Sequence, residues 1–407
     1  MAGPLQGIRV LDLSRILAGP WCTQLLADLG AEVIKIERPG AGDDTRHWGP
    51  PWLRDTEGNE TRESAYYLST NRGKQSVTVD IGKPEGRAII ERLAAKSDVF
   101  IENFKTGDLA RKGLGYEQMR AINPRIIYCS ITGFGQTGPR AEQAGYDYLV
   151  QGMGGLMSIT GVPDGQPGGG PLRVGVAVGD LSTGLYATIG ILAALNHRNT
   201  TGEGQYIDLA LLDTVVSMMA NQGQNYFVGG SVPSRTGAEH PNLAPYRTFA
   251  TRDGYVIIAV GNDGQYRKLC EVLSVPALAD DPRFLTNADR VRNRRVLAEL
   301  IEARTSEWSM PALVDALGEV DVPSGPINTL DQVFADPQVK HRDLAVSLPH
   351  SLAGAVTSVR NPLHFSATPA RYEQAPPLLG EHTDAVLTRV AGLSAEEVAR
   401  LRSAKVV

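Results

Sequence analysis

A chain of 407 residues with 42% hydrophobic and 21% charged residues has the balance of a folded protein of two or three domains, which excludes a disordered chain. Its net charge of −5 excludes a general nucleic-acid binder, which would carry a basic excess, and leaves room for a local basic pocket. Three distant cysteines (Cys22, Cys129, Cys270) and seven histidines without paired spacing exclude a disulfide scaffold and a zinc or other metal site, and predict reduced thiols.

The N-terminal residues enter a strand without a signal-peptide pattern, and no uncharged apolar run reaches about 18 residues. The expectation is a soluble cytoplasmic protein with no membrane span. Residues 8–14 (IRVLDLS) read as a buried strand, and Gly19-Pro20 opens a helix running to residue 29. Strands at 31–37, 76–81, 98–104 and 125–132 alternate with helices at 84–96 and 108–122. That alternation predicts an α/β fold with a parallel, helix-covered sheet. Residues 39–62, rich in Gly, Pro, Asp and Arg, read as one long loop. Helices at 148–160 and 181–197 bracket a glycine-rich loop at 161–175, followed by a strand at 205–209, a helix at 211–228 and a loop at 229–244. Strands at 246–250 and 255–260 joined through Arg252-Asp253-Gly254 predict a hairpin. Charged amphipathic helices then run to about residue 318. The domains read as 1–228 (large), 229–325 (small, α+β) and a C-terminal segment 326–407.

Asp180 is the candidate for chemistry. Set between Gly179 and the start of a long, nearly uncharged helix, it reads as an N-cap. A capped carboxylate at the positive helix end stays ionised and fixed in direction, which suits a nucleophile. Gly179 and Gly184 read as room for a bulky reactant. Lys35, Arg38, Arg46, Arg72, Lys74, Lys105 and Arg111 fall at or beyond predicted strand ends, where ligands of open α/β sheets bind, and read as phosphate-holding cations or as surface charge. The first strand–helix turn, SRILAGP, lacks the glycine spacing of dinucleotide sites and the Walker pattern. No Gly-x-Ser-x-Gly elbow appears, so serine hydrolysis is unsupported. His240 stands out among the histidines for its place in the loop ahead of the small domain.

Several segments together resemble the class III coenzyme A transferases, the family of formyl-CoA transferase and the carnitine and bile-acid CoA transferases. They are RVLDLSRILAGPWCTQLLADLGAEVIKIE with PGAGDDTR, NRGKQSVTVDI, DVFIENFKTGDLARKGLGYEQM, PRIIYCSITGFGQTGP, GYDYLVQGMGGLMSITG, GDLSTGLYATIGILAAL, TGEGQYIDLALLD and PPLLGEHTDAVL. The resemblance implies an interlocked homodimer, and a Rossmann-like large domain built from both ends of the chain around the smaller one. It implies coenzyme A and acyl-CoA as substrates with carboxylic acids, and no tightly bound cofactor. Asp180 falls on the family's catalytic aspartate. Arg38, Lys74, Asn103, Phe104 and Arg111 fall on CoA-contacting positions, with Arg72 beside them. Ile16 falls on the turn lining the pantetheine, and Tyr146 near the reacting acyl group.

Two departures separate the chain from formyl-CoA transferase. Leu17 stands where that enzyme has glutamine, and the segment SRTGAEHPNLAPYRTF lacks its run of glycines. The sequence looks closer to members that use succinyl-CoA and dicarboxylates such as glutarate, with an arginine or His240 facing the far carboxylate. Two other readings stand beside it. An α-methylacyl-CoA racemase carries histidine where this chain has Tyr146, and tyrosine is a poor base near neutral pH. A CoA-ester binding protein without turnover would have no use for Asp180.

Overall fold

The computed structural model describes residues 3–407. The chain forms two compact units: Met1–Leu156, Val174–Gly223 and Lys340–Val407 in the first, Met157–Arg173 and Gln224–Val339 in the second. The sequence expectation kept 157–173 in the large domain and closed the small one at 325. Long-range hydrogen bonds account for the difference at 157–173. The Gly237 amide donates to the Gly161 carbonyl at 3.1 Å, and Arg235 Nε to the Val162 carbonyl at 3.1 Å.

In the first unit β1 (Arg9–Asp12) is followed by α1 (Ala18–Asp28), β2 (Glu32–Glu37), β3 (Lys74–Thr78), α2 (Pro84–Ala94), β4 (Val99–Glu102) and β5 (Ile127–Thr132). Then come α3 (Asp147–Met153), α4 (Val178–Thr201), β6 (Tyr206–Ala210) and α5 (Leu211–Ser217). The six strands form one parallel sheet in the order β6-β5-β4-β1-β2-β3. That is the doubly wound order of Rossmann-type sheets, in which the direction of winding reverses between β1 and β4. Both faces of the sheet carry apolar strand residues because both are covered. Leu11, Ile34, Val77 and Phe100 pack against Ile90 and Leu93 of α2, while Val10, Val33, Ile101 and Cys129 pack against Leu26 of α1 and Ile191 of α4.

The second unit holds an antiparallel sheet of β7 (Tyr246–Thr251), β8 (Gly254–Ala259) and β9 (Ser324–Pro326), with β8 central. Phe249, Val256 and Ile258 bury against α6 (Asp263–Val272), α7 (Arg294–Thr305) and α8 (Met310–Glu319) through Leu269, Leu297 and Leu313. The hairpin turns at Arg252-Asp253, as its sequence predicts. The tail forms a hairpin of β10 (Ala345–His350) and β11 (Gly354–Val359), then α9 (Thr383–Arg389) and α10 (Ala395–Ser403). Val386, Leu387 and Leu401 join the core of the parallel sheet, and the Thr78 amide donates to Thr383 Oγ1 at 3.0 Å.

Several expected elements differ. The loop at 39–62 contains a 3-10 turn at Asp44–His47 and a hairpin of Trp52–Arg54 with Glu60–Ser64. The helix expected at 108–122 breaks into Asp108–Arg111 and Tyr116–Ile122, because Gly113 takes φ +77° between them. The helix expected at 148–160 breaks at Gly154-Gly155, and that expected at 211–228 at Met218–Met219. Helix α4 begins three residues earlier than expected, and an 18-residue stretch of it, with mean hydropathy 1.4, would suffice by length and composition alone to cross a membrane. Asp180 and Arg198, both inside the helix, bound its uncharged run, so the sequence shows no uncharged apolar run of about 18 residues. Gly184 of α4 leaves no room for a reactant. A Cβ there would lie 2.7 Å from the Ala18 carbonyl oxygen of α1, so this glycine serves close helix packing.

Candidate active site

The carboxyl ends of β1 and β4 meet where the sheet order reverses, and two turns are tied together there. The Arg15 amide donates to Asn103 Oδ1 at 2.8 Å, and Asn103 Nδ2 donates to the Arg15 carbonyl at 2.7 Å. The next residue, Ile16, has φ +72°. A β-branched side chain in this left-handed region costs about 1–3 kcal/mol and persists only where the surroundings impose it. Phe104 is placed by its amide, which donates to Glu102 Oε2 at 2.7 Å. Beyond β5, Gly133 and Gly145 approach so closely that a Cβ on either would lie within 2.5 Å of the other's Cα. That contact sets Tyr146 at the rim. Together these turns enclose a cleft of about 850 Å³ whose lining includes Ile16, Asn103, Phe104, Tyr146, Asp180 and Leu211. Five residues from four separate segments, Ile16, Asn103, Phe104, Tyr146 and Asp180, are brought to one place.

Asp180 is not the helix cap. Ala177 is the N-cap of α4, and Asp180 lies in its first turn. The cap is supplied by Asp147, whose Oδ1 accepts from the amides of Gly179 at 2.7 Å and Asp180 at 3.3 Å, while Oδ2 accepts from Gln151 Nε2 at 2.6 Å. Gly179 serves this cap rather than a reactant, since a Cβ there would lie 2.9 Å from Asp147 Oδ1. The Asp180 side chain is partly buried, and burial, with the Asp147 carboxylate nearby, pushes it up to about 7. The expectation of a permanently ionised carboxylate is corrected accordingly. A carboxylate poised near neutrality is a stronger nucleophile than one at its ordinary value, while remaining about half ionised at pH 7. Asp147→Asn keeps an oxygen for the cap and removes the like charge. The acidic limb of kcat/KM, which reports the free enzyme, then moves to lower pH. A pH–rate profile of both proteins checks this, and an unmoved limb would contradict it.

A family profile described as CoA-transferase family III matches residues 5–383. The chain belongs to CoA-transferase family III. It is an enzyme that transfers coenzyme A between carboxylic acids as CoA thioesters. This transferase is 51% identical over 95% of its length to succinate–glutarate CoA-transferase of Agrobacterium fabrum, covering 96% of that protein. It is 44% identical over 99% of its length to human succinyl-CoA:glutarate CoA-transferase, covering 90% of it. The crystal structure of a CAIB/BAIF family protein from Brucella suis matches with a TM-score of 0.84 at 49% identity, over 96% of this chain and 100% of that one.

The cations of the transferase divide by burial. A second cleft, about 1040 Å³, shares Arg15 and Phe104 with the first and is lined also by Arg38, Asp44 and Asp108. The Arg15 guanidinium lies 5.4 Å from the Phe104 ring centre and pairs with Asp44 at 2.9 Å. Arg38 is exposed on this second cleft, and Lys105 lines the first. Arg111 is exposed and paired with Asp108. Four others are buried in internal ion pairs. Arg72 binds Asp28 through Nε at 2.8 Å and Nη2 at 2.7 Å. Lys74 donates to the Pro20 carbonyl and Asn71 Oδ1, both at 2.9 Å, and lies 3.4 Å from Asp12. Burial lowers Lys74 to about 7 even so. Lys35 pairs with Asp43 at 2.9 Å, although it reaches the edge of the second cleft, and Arg46 with Glu37 at 2.8 Å. Arg72 and Lys74 therefore do not present charge in either cleft, contrary to expectation, because each has a buried acid to neutralise. His240 belongs to the second unit, where its ring packs 5.0 Å from Tyr246 and its Nδ1 accepts from the Asn242 amide at 3.1 Å.

Sequence reading missed Tyr66 and Asp147. Burial and the charges of Asp180 and Asp147 raise the Tyr66 phenol to about 12, and its ring meets Trp48 edge-on at 5.1 Å. No local pattern marks a tyrosine more than a hundred residues from the acid it faces. The signal for Asp147 is its place in GYDYLVQGMGGLMSITG, one of the segments that carry the resemblance, just ahead of the helix expected at 148–160.

Proposed function

We propose that this transferase moves coenzyme A from succinyl-CoA to glutarate or a dicarboxylate of similar length, with Asp180 as nucleophile. The observation carrying the mechanism is the Asp180 carboxylate: it lies in the cleft at the sheet's reversal point and accepts no hydrogen bond from the described residues. The names of the two relatives, at 51% and 44% identity over nearly the whole chain, support the choice of acids. Asp180 attacks the succinyl thioester carbonyl, forming a mixed anhydride and releasing CoA thiolate. The thiolate attacks the aspartyl carbonyl, forming an aspartyl-CoA thioester and freeing succinate. Glutarate attacks that carbonyl, forming a second anhydride and again releasing thiolate. Attack of the thiolate on the glutaryl carbonyl gives glutaryl-CoA and restores Asp180. Splitting the exchange in this way replaces one difficult step by easier ones, provided water is kept out.

The coenzyme would run along both clefts, its nucleotide end near Arg38 and its thioester near Asp180, with Ile16, Asn103 and Phe104 along the pantetheine and Tyr146 at the acyl group. Arg111 would fit the phosphate end. The protein would act as an interlocked homodimer; Leu185, Tyr186 and Ile189 of α4, each 46–60% exposed in the single chain, give an apolar face that a second copy would cover. Incubation with succinyl-CoA and a pool of mono- and dicarboxylic acids, read by mass spectrometry of CoA esters, tests the reading. Glutaryl-CoA as the main new ester is expected. Absence of any new ester from succinyl-CoA would overturn the choice of donor, and a monocarboxylate product the choice of acceptor.

A further inference from the structure

We propose that Asp43 is a positioning residue for CoA transfer, acting through Ile16: its carboxylate locks the turn after β1 in the left-handed form that shapes the wall of the Asp180 cleft. The Ile16 amide donates to both Asp43 oxygens, at 3.2 and 3.3 Å. The same carboxylate takes Lys35 Nζ at 2.9 Å, the Thr45 amide at 3.0 Å and the Thr45 hydroxyl at 2.8 Å. Lys35 reaches across to the Ser14 carbonyl at 3.0 Å, so the acid and the lysine grip the turn at residues 14 and 16, while Asn103 grips residue 15 on both its amide and its carbonyl. Asp43 is itself fixed from behind, its amide donating to Glu37 Oε2 at 3.0 Å.

The side chain of Asp43 is 1% exposed, with its capacity spent on these partners. Its effect on a ligand therefore passes through the backbone of Ile16, which lines the cleft with Asp180. Few non-glycine residues adopt a positive φ, and a β-branched one does so only when held. A glycine at that position would adopt the same φ without being held. That difference separates positioning from mere structural support.

The test is a double-mutant cycle of Asp43→Asn and Ile16→Gly in the full-length enzyme, with KM and kcat for succinyl-CoA and the melting temperature as readouts. In the Ile16 background, Asp43→Asn is expected to raise KM about tenfold or more, with a smaller change in kcat. In the Ile16→Gly background the same substitution should change KM by less than about twofold. An equal rise in both backgrounds would overturn the proposal, as would a drop in melting temperature with KM unchanged. Asp43→Asn strands the buried Lys35 charge. If that prevents folding, Lys35→Met together with Asp43→Asn replaces it in the same cycle. Folding rescued by Ile16→Gly would then support the clamp, and folding lost equally in both backgrounds would contradict it. The inference rests on the reading of the Asp180 cleft as the transfer site. Full turnover by Asp180→Ala would undo that reading, whereas a missing Ile16–Asp43 coupling in an enzyme that needs Asp180 would undo only this one.

Discussion

Asp180→Ala is expected to lower CoA exchange by more than about 10³-fold while leaving binding of CoA esters within a few-fold of the parent. Every step in the proposed route makes or breaks a bond to the Asp180 carboxyl carbon or oxygen, and among the described residues no other carboxylate lines the same cleft. Steady-state exchange together with equilibrium titration of CoA separates the two effects. Loss of binding in step with activity would make Asp180 a structural residue.

Asp180→Asn adds a signature in stability. The folded-state value of about 7 lies above that of an unfolded aspartate, so the ionised group opposes folding at pH 8. That penalty is relieved as pH falls through 7, and it is gone below the unfolded value near 4. Asp180→Asn should therefore melt higher than the parent at pH 8, with the gap closing towards pH 4.

The largest expected loss of stability comes from Arg46. Its guanidinium binds Glu37 through Nε at 2.8 Å and Nη2 at 2.9 Å, Glu63 at 3.0 Å and the Pro377 carbonyl at 3.1 Å, and stacks 3.7 Å over Tyr67. Burial favours none of these charges alone. Burial holds Glu63 above its ordinary value despite Arg46, whereas Glu37, with Arg46 on both oxygens and Ser76 at 2.6 Å, stays below its own. Arg46→Met leaves two buried carboxylates without their cation, a loss of about 3–5 kcal/mol. On the usual entropy scale for chains of this size that is roughly 4–6 °C in melting temperature. Both acids then rise above their unfolded values, so the deficit should be greater at pH 8 than at pH 5. Arg111→Met, which breaks the exposed pair with Asp108, is the matched control at about 0–1 kcal/mol. Thermal melts of both variants at the two pH values check the contrast; equal losses would contradict it.

The order of strands and helices was legible because each buried strand is a short apolar run and each covering helix has its own periodicity. That alternation points to the carboxyl ends of the strands as the ligand side; the observed strand order narrows this to β1 and β4, where Ile16, Asn103 and Phe104 lie. The roles of the cations were not legible. Lys35, Arg46, Arg72 and Lys74 occupy strand ends or adjoining turns much as a phosphate-binding residue would. What decides their use is whether a buried acid lies opposite, and those acids (Asp43, Glu37, Asp28, Asp12) come from 8 to 62 positions away. The cap of α4 was hidden for the same reason: Asp147 reaches it from 33 residues upstream. Asp180 at the start of a helix therefore looked like its own cap. With that duty taken by Asp147, the Asp180 carboxylate is left facing the cleft.

The most direct test of the central claim is mass spectrometry of the protein mixed with succinyl-CoA in the absence of acceptor, followed by proteolysis. The account predicts an adduct equal to CoA less one water, mapped to the peptide holding Asp180, absent from Asp180→Ala and discharged by glutarate as glutaryl-CoA. An adduct on another residue, or one that persists in Asp180→Ala, would contradict it.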